Sequence, residues 1–274
     1  MARAVVLHRW PWQEHGLLLD LFTEDSGRVR AIAKYARSRR SSLRATLEPF
    51  TLIDIELKGR GEVKTLARAE SLQHFPLRHI HLYSGLYLNE LLQRLLPELT
   101  DFPGLFADYI KSLTLLSDIQ VIEPVLRQFE YRLLCHLDLD FSFTHDANDG
   151  NLITSEQYYR FVAGAGFVPA EAHASAREEL GNELRDQVNE EELVDISRVY
   201  DQVIHDQVKK PLHESRTQEW LLSGEEIAQL GRFQLADPQV LKQFKHLMRI
   251  AYAPLLGAKP LRSRELLLAA VKHK

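Results

Sequence analysis

The sequence predicts an α+β protein of two domains, a small five-stranded barrel followed by a mainly α-helical domain. Three observations predict it. Short apolar runs fill residues 4–70 and are separated by turn residues. Beyond Pro76 the apolar spacing lengthens to three and four residues, the period of a helix face. Short links between the helical runs suit antiparallel neighbours in a bundle.

The strands read in order as "AVVLHR" (4–9), "GLLLDLFT" (16–23), "RVRAIAKY" (28–35), "FTLIDIELK" (50–58) and "EVKTLARAE" (62–70). Trp10-Pro11-Trp12, Asp25-Ser26-Gly27 and Gly59-Arg60-Gly61 read as the turns between them. In the third run Val29, Ile32 and Ala33 carry the apolar weight, and Ile32 breaks strict alternation. Five short strands in this space predict a closed or nearly closed barrel of the OB-fold type. Its widest gap is 36–49, between the third and fourth strands.

In "HLYSGLYLNELLQRLLP" leucines recur at helical spacing until Pro97 stops them. "FPGLFADYIKSLTLLSD" and "EPVLRQFEYRLLCHLDL" read as a second and third helix, Pro124 suiting a first turn. A hairpin is expected over about 152–170, with Gly164 and Gly166 at its turn. An acidic insert of helical pattern follows over about 171–216, and two helices, "DPQVLKQFKHLMRIAYAPLLG" and "LRSRELLLAAV", close the chain. The expected domains are therefore 1–75 and 76–274.

The chain has 274 residues, 45% hydrophobic, with a formal net charge of -4. No apolar run is long enough to cross a bilayer or form a signal-peptide core, so a soluble, cytoplasmic protein is expected. The single cysteine, Cys135, excludes an intramolecular disulfide and the multi-cysteine zinc motifs. The mild net charge hides segregation. Residues 138–202 hold fifteen acids against four Lys/Arg, whereas residues 242–274 hold eight Lys/Arg against Glu265 alone. Residues 28–44, "RVRAIAKYARSRRSSLR", carry seven cations and no acid. Such patches are the electrostatic footprint of a polyanion partner.

Catalytic motifs are missing. "DANDGNLITSEQ" imitates a calcium loop from Asp146, but its glycine falls fifth and Gln157 stands where glutamate is needed, so a polar turn is expected. Cys135, His136, Asp138, Asp140 and His145 lie at no standard metal-ligand spacing. No phosphate loop, dinucleotide fingerprint or nucleophile elbow occurs. A metal-dependent nuclease using Asp138, Asp140 and His145 ranks low, and no catalytic residue, cofactor or metal is expected.

The basic run issues from a barrel strand, and further cations follow on the next hairpin. Expected DNA contacts are Arg30, Lys34, Arg37, Arg39, Arg40, Arg44, Lys58, Arg60, Lys64 and Arg68, with Tyr35 stacking on a base. Phe22 and Phe50 are expected in the core rather than on the DNA.

"VVLHRWPWQEHGLLLDLFTEDSGRVRAIAKYARS", "LEPFTLIDIELKGRGEVKTLARAE", "LYSGLYLNELLQRLLP" and "APLLGAKPLRSREL" resemble the bacterial RecO recombination and DNA-repair mediator family. The resemblance implies an OB-fold barrel joined to a helical domain, and binding rather than bond-breaking. It implies binding of single- and double-stranded DNA, strand annealing, and a site for the acidic tail of the single-strand-binding protein SSB. It also implies that, with RecR, the chain helps load RecA on coated strands. Many members carry a four-cysteine zinc site after the third helix. Here that region is "DLDFSFTHDANDGN", so a degenerate, zinc-less hairpin held by Tyr158, Tyr159, Phe161 and Phe167 is expected. Matching the family's arginine on the third helix implies an SSB-tail site at Leu126, Arg127 and Leu133, with Arg132 a further candidate; the alternative is that both arginines snorkel or pair with Glu123 and Glu130. For the acidic insert two readings stand, a solvated helical elaboration or an intramolecular polyanion that competes with DNA for the barrel; in the second, its deletion raises DNA affinity at low salt. The rival reading is a non-catalytic scaffold that binds acidic protein partners through the same patch.

Overall fold

The computed structural model describes residues 2–118, 122–170 and 220–272. The acidic segment 171–216, and with it the choice between its two readings, lies outside the described residues. The chain divides into two compact units, Met1–Phe141 with Phe233–Lys274, and Ser142–Arg232.

The first unit begins with a closed barrel of order β1-β2-β3-β5-β4. Its strands are β1 (Ala2–Trp12), β2 (Gly16–Thr23), β3 (Gly27–Ala33), β4 (Thr51–Lys58) and β5 (Val63–His74). Leu17, Leu19, Leu21, Val6, Ala31, Ala33, Ile53 and Ile55 fill its interior. β3 alternates strictly, with Val29, Ala31 and Ala33 buried. Ile32 is thus on the outer face and breaks no pattern, contrary to the reading from sequence.

Trp10-Pro11-Trp12 is not a turn. The strand continues through it, with Trp10 opposite Leu18, Pro11 opposite Leu17 and Trp12 opposite Gly16. The turn falls on the next residues, where Gln13 adopts φ 50°. A register shift between Val6 and His8 changes which residues face out. Directly opposed residues share a face. Because Leu17, Leu19 and Leu21 point inward, His8, Trp10 and Trp12 lie on the outside with Asp20, Leu18 and Gly16.

Three helices follow, α2 (Ile80–Leu95), α3 (Leu105–Asp118) and α4 (Ile122–His136), after a single short turn α1 (Leu43–Thr46) inside the β3–β4 connection. Of these, α2 packs on the barrel through buried polar groups. Asn89 donates to the Leu7 carbonyl at 3.0 Å and accepts from the Tyr109 hydroxyl at 2.6 Å. Asp20, fully buried, accepts from Arg28 Nε at 2.9 Å and Gln93 at 2.8 Å. Phe22 is buried against Phe106 and Tyr109. Gly27, at φ 63°, admits the next segment, for a Cβ there would meet the Thr100 carbonyl oxygen at 1.8 Å.

The second unit holds a sheet of order β7-β6-β8, from β6 (Tyr158–Val162), β7 (Gly166–Pro169) and β8 (Leu221–Ser223). The expected hairpin is therefore extended by a third strand. Phe161 packs on Phe167 at 5.3 Å, and Tyr159 is buried. The Asp146 carboxylate accepts from the backbone N–H groups of Asn148, Asp149 and Asn151, a closed polar turn. These bonds hold its pKa below the usual carboxylate range. α5 (Gly224–Gly231) starts at a capping box of Ser223 and Glu226.

The first unit ends with α6 (Pro238–Leu256) and α7 (Arg262–Lys272). Asp237 caps α6, and Pro238 occupies its first turn. Glu90 on α2 caps α7, accepting from the N–H groups of Arg262 and Ser263 at 2.9 Å each and from the Ser263 hydroxyl at 2.7 Å. Arg94 pairs with Glu90 at 2.7 Å and donates to the Lys259 carbonyl at 2.8 Å. Burial works against the Glu90 charge, but these bonds outweigh it and lower its pKa. The stability it contributes is therefore present above its unfolded pKa and lost as pH falls through the folded one. Glu90→Ala should cost about 1–2 kcal/mol, as for a lost cap. It should speed amide exchange across 262–272 more than across α2, and equal protection in both proteins would contradict the latch.

Candidate nucleic-acid interface

The β3–β4 connection is anchored by apolar residues at both ends. Ala36 and Leu47 are fully buried in the barrel core, while Lys34, Arg37, Arg39, Arg40 and Arg44 are exposed. The geometry follows from the sequence, since unpaired cations are costly inside the barrel, so Lys34 projects outward before the first plug and the four arginines between the two. Backbone bonds tether the loop, with the Arg37 N–H donating to the His15 carbonyl at 2.8 Å and the Ser41 N–H to Ser38 at 3.1 Å. Arg9 reaches its far end, donating to Glu48 at 2.6 Å. Tyr35 takes a left-handed conformation, φ 59°, and its ring is 69% exposed.

Among the described residues no carboxylate lies within ion-pairing distance of Lys34, Arg37, Arg39, Arg40 or Arg44. Arg60 and half-buried Lys64 are likewise unpaired among the described residues. The other expected DNA contacts differ. Arg30 pairs with Glu98 at 2.9 Å, Lys58 with Glu56 at 3.4 Å, and Arg68 with Glu70. Arg28 is internal, held by Asp20 and the Leu96 carbonyl. The structure thus brings Lys34, Tyr35, Arg37, Arg39, Arg40 and Arg44 onto one loop and leaves Arg30, Lys58 and Arg68 charge-compensated.

The residues expected to hold an acidic tail separate in the same way. Leu126, Arg127 and Leu133 are buried, because that face of α4 packs into the helical core. Arg127 Nη2 lies 2.7 Å from Glu130, which also accepts from the Tyr87 hydroxyl at 2.6 Å. Glu123 lies 3.8 Å from Arg127 Nε and pairs with Lys245 at 2.8 Å. Burial opposes the charge on Arg127, and Glu130 and Tyr87 more than offset it, holding its pKa above the ordinary value. For Glu130 burial dominates and pushes the carboxyl up. Arg132, by contrast, is exposed on a groove between α3 and α4 lined by Lys111, Leu115, Gln128 and Phe129. Asp108 also lines it, paired with His136 at 2.9 Å. Lys111 escaped the sequence reading, and only its helical spacing from Leu115 marked that face.

Among the described residues no three His, Cys, Asp or Glu side chains gather so as to hold a metal ion. No helix among them is long and apolar enough to cross a membrane.

Residues 1–75 match the family model described as Recombination protein O N terminal, and residues 79–216 match Recombination protein O C terminal. The second match runs on through the acidic segment. The chain is 39% identical over 266 residues to the DNA repair protein RecO of Shigella flexneri, covering 96% of this chain and 92% of that protein. It is 37% identical over 267 residues to the RecO of Idiomarina loihiensis, covering 96% of each chain. It is 38% identical to the RecO of Escherichia coli strain K12 over 96% of this chain and 92% of that one. With a closed five-stranded barrel, a helical region behind it and both family models matched in order, the chain belongs to the RecO family of DNA repair proteins.

Proposed function

We propose that the chain is a DNA repair and recombination mediator that binds single- and double-stranded DNA through the barrel and its 34–46 loop. It anneals complementary strands, engages the SSB tail, and with RecR helps load RecA onto SSB-coated single strands. The observation that carries this reading is the row of exposed cations, Lys34 just before the buried plug Ala36 and Arg37, Arg39, Arg40 and Arg44 between it and Leu47, none paired among the described residues. A guanidinium fork fits phosphate oxygens, and each neutralised phosphate releases counterions. Two strands neutralised on one surface repel each other less while their bases stay accessible, which promotes pairing. The role is binding rather than bond-breaking. The test is a salt series with labelled single strands and duplexes. The account expects log affinity to fall steeply with log salt, with a slope of roughly -3 or steeper for about five phosphate contacts. A flat slope, or no binding at low salt, would defeat it.

For the SSB tail, acidic and ending in a hydrophobic residue, the groove between α3 and α4 is the better seat. Lys111 and Arg132 supply exposed cations beside half-buried Leu115. Arg132→Glu with Lys111→Glu should weaken a tail peptide roughly tenfold or more by anisotropy, since like charges now face each other. It should leave the salt slope for naked DNA unchanged. Unaltered peptide affinity would move the tail elsewhere.

A further inference from the structure

The register shift at Val6/His8 has a second effect, at the aromatic residues of β1. His8, Trp10 and Trp12 follow one another on the outer face, and the His8 and Trp10 rings lie 4.3 Å apart, tilted by 32°. Trp12 is 39% exposed at the open end. Its indole edge lies over Gly16, where an added Cβ would come within 3.3 Å of it and within 3.4 Å of the Ala33 carbonyl. The indole is therefore seated beside the last residue of β3, from which Lys34 and Tyr35 lead directly into the basic loop. At the other end of the row, the Arg262 charge reaches His8 and acts with burial to lower its pKa, while Asp20 opposes them. Arg262 is exposed, and its backbone N–H is fixed by Glu90.

Large apolar rings left open beside cations that no described carboxylate pairs suit a ligand that offers flat faces and regularly spaced anions. A single-stranded nucleic acid does so, whereas a duplex keeps its base faces stacked inside. We infer that the outer face of β1 is a single-strand track, on which bases stack against Trp12 and Tyr35 while the backbone runs from Lys34 and Arg37 to Arg262. The track deepens the DNA-binding reading of the loop and rests on it. It gives the surface a reason to prefer unpaired strands, which phosphate contacts alone do not.

The test uses the full chain, an oligothymidine single strand and a duplex of equal length, at fixed salt. Trp12→Ala should weaken the single strand about tenfold and the duplex less than about twofold, as expected for loss of one stacked base. Trp12→Phe keeps a ring on the same exposed tip and should restore most of the single-strand affinity. Arg262→Ala should reduce the single-strand salt slope by roughly one unit. Equal losses on both ligands, no loss on either, or Phe as damaging as Ala would overturn the track while leaving the loop's phosphate binding intact. A wild-type chain that binds neither ligand would overturn the DNA reading itself.

Discussion

Reversing Arg39, Arg40 and Arg44 to glutamate should lower affinity for DNA of any sequence by roughly 1,000-fold at low salt. Three lost phosphate contacts should also flatten the salt slope by about two to three units. All three side chains are exposed and none is paired among the described residues, so the substitutions break no internal bond. The fold should survive, because the loop is held by Ala36, Leu47 and the Arg37–His15 backbone bond rather than by these charges. Parallel reversal of Arg30, Lys58 and Arg68, each already facing a carboxylate, should cost far less. Titrations of a labelled single strand and a duplex at several salt concentrations measure both quantities. Equal losses for the two triple variants would mean that total charge, not the loop, governs binding.

Arg127→Ala should destabilise the protein by about 3–5 kcal/mol, the usual consequence of removing one partner of a buried ion pair. The side chain is 10% exposed, and without it the Glu130 carboxylate, at 1%, keeps the Tyr87 hydroxyl as its hydrogen-bond donor. Replacing both members, Arg127→Met with Glu130→Leu, should recover most of that loss, since no charge is then left unpaired. Denaturant melts of the two variants decide it. If Arg127→Ala unfolds like the wild type while losing the SSB tail, the residue acts on the partner rather than in the core. Acid should weaken the neighbouring link as well. Glu123 is held below the usual carboxylate range because Arg127 and Lys245 outweigh its burial. Its contribution is thus present above its unfolded pKa and fades as pH falls through the folded value.

The barrel was legible because each strand carries its own inward leucines, valines or isoleucines, and turns separate them. The longer helices were legible from leucine spacing, and α6 carries its cap openly in Asp237-Pro238, whereas α5 was not expected although Ser223-Gly224-Glu225-Glu226 spells its capping box. What was not legible depends on tertiary contact. Trp10-Pro11-Trp12 looks like a turn because proline there usually ends a strand, but Pro11 continues β1 opposite Leu17. The basic loop could be read from charge alone. Which cations are paired is only partly local: Glu56 and Glu70 stand two residues from Lys58 and Arg68 on the same strand face, whereas Glu98 reaches Arg30 only in the folded chain. Arg127 divides the same way. Its partners Glu123 and Glu130 stand at helical spacing in the sequence, but its burial beside Tyr87 comes only from the packing of the helices.

The most direct test of the central claim is strand annealing between complementary oligonucleotides coated with SSB. Wild-type chain should anneal them, and the Arg39/Arg40/Arg44 reversal should not. Removing the SSB tail should slow the wild-type reaction on coated strands without slowing it on naked ones. Annealing by the reversal variant at the wild-type rate would contradict the account, because the loop would then have no part in holding the strands.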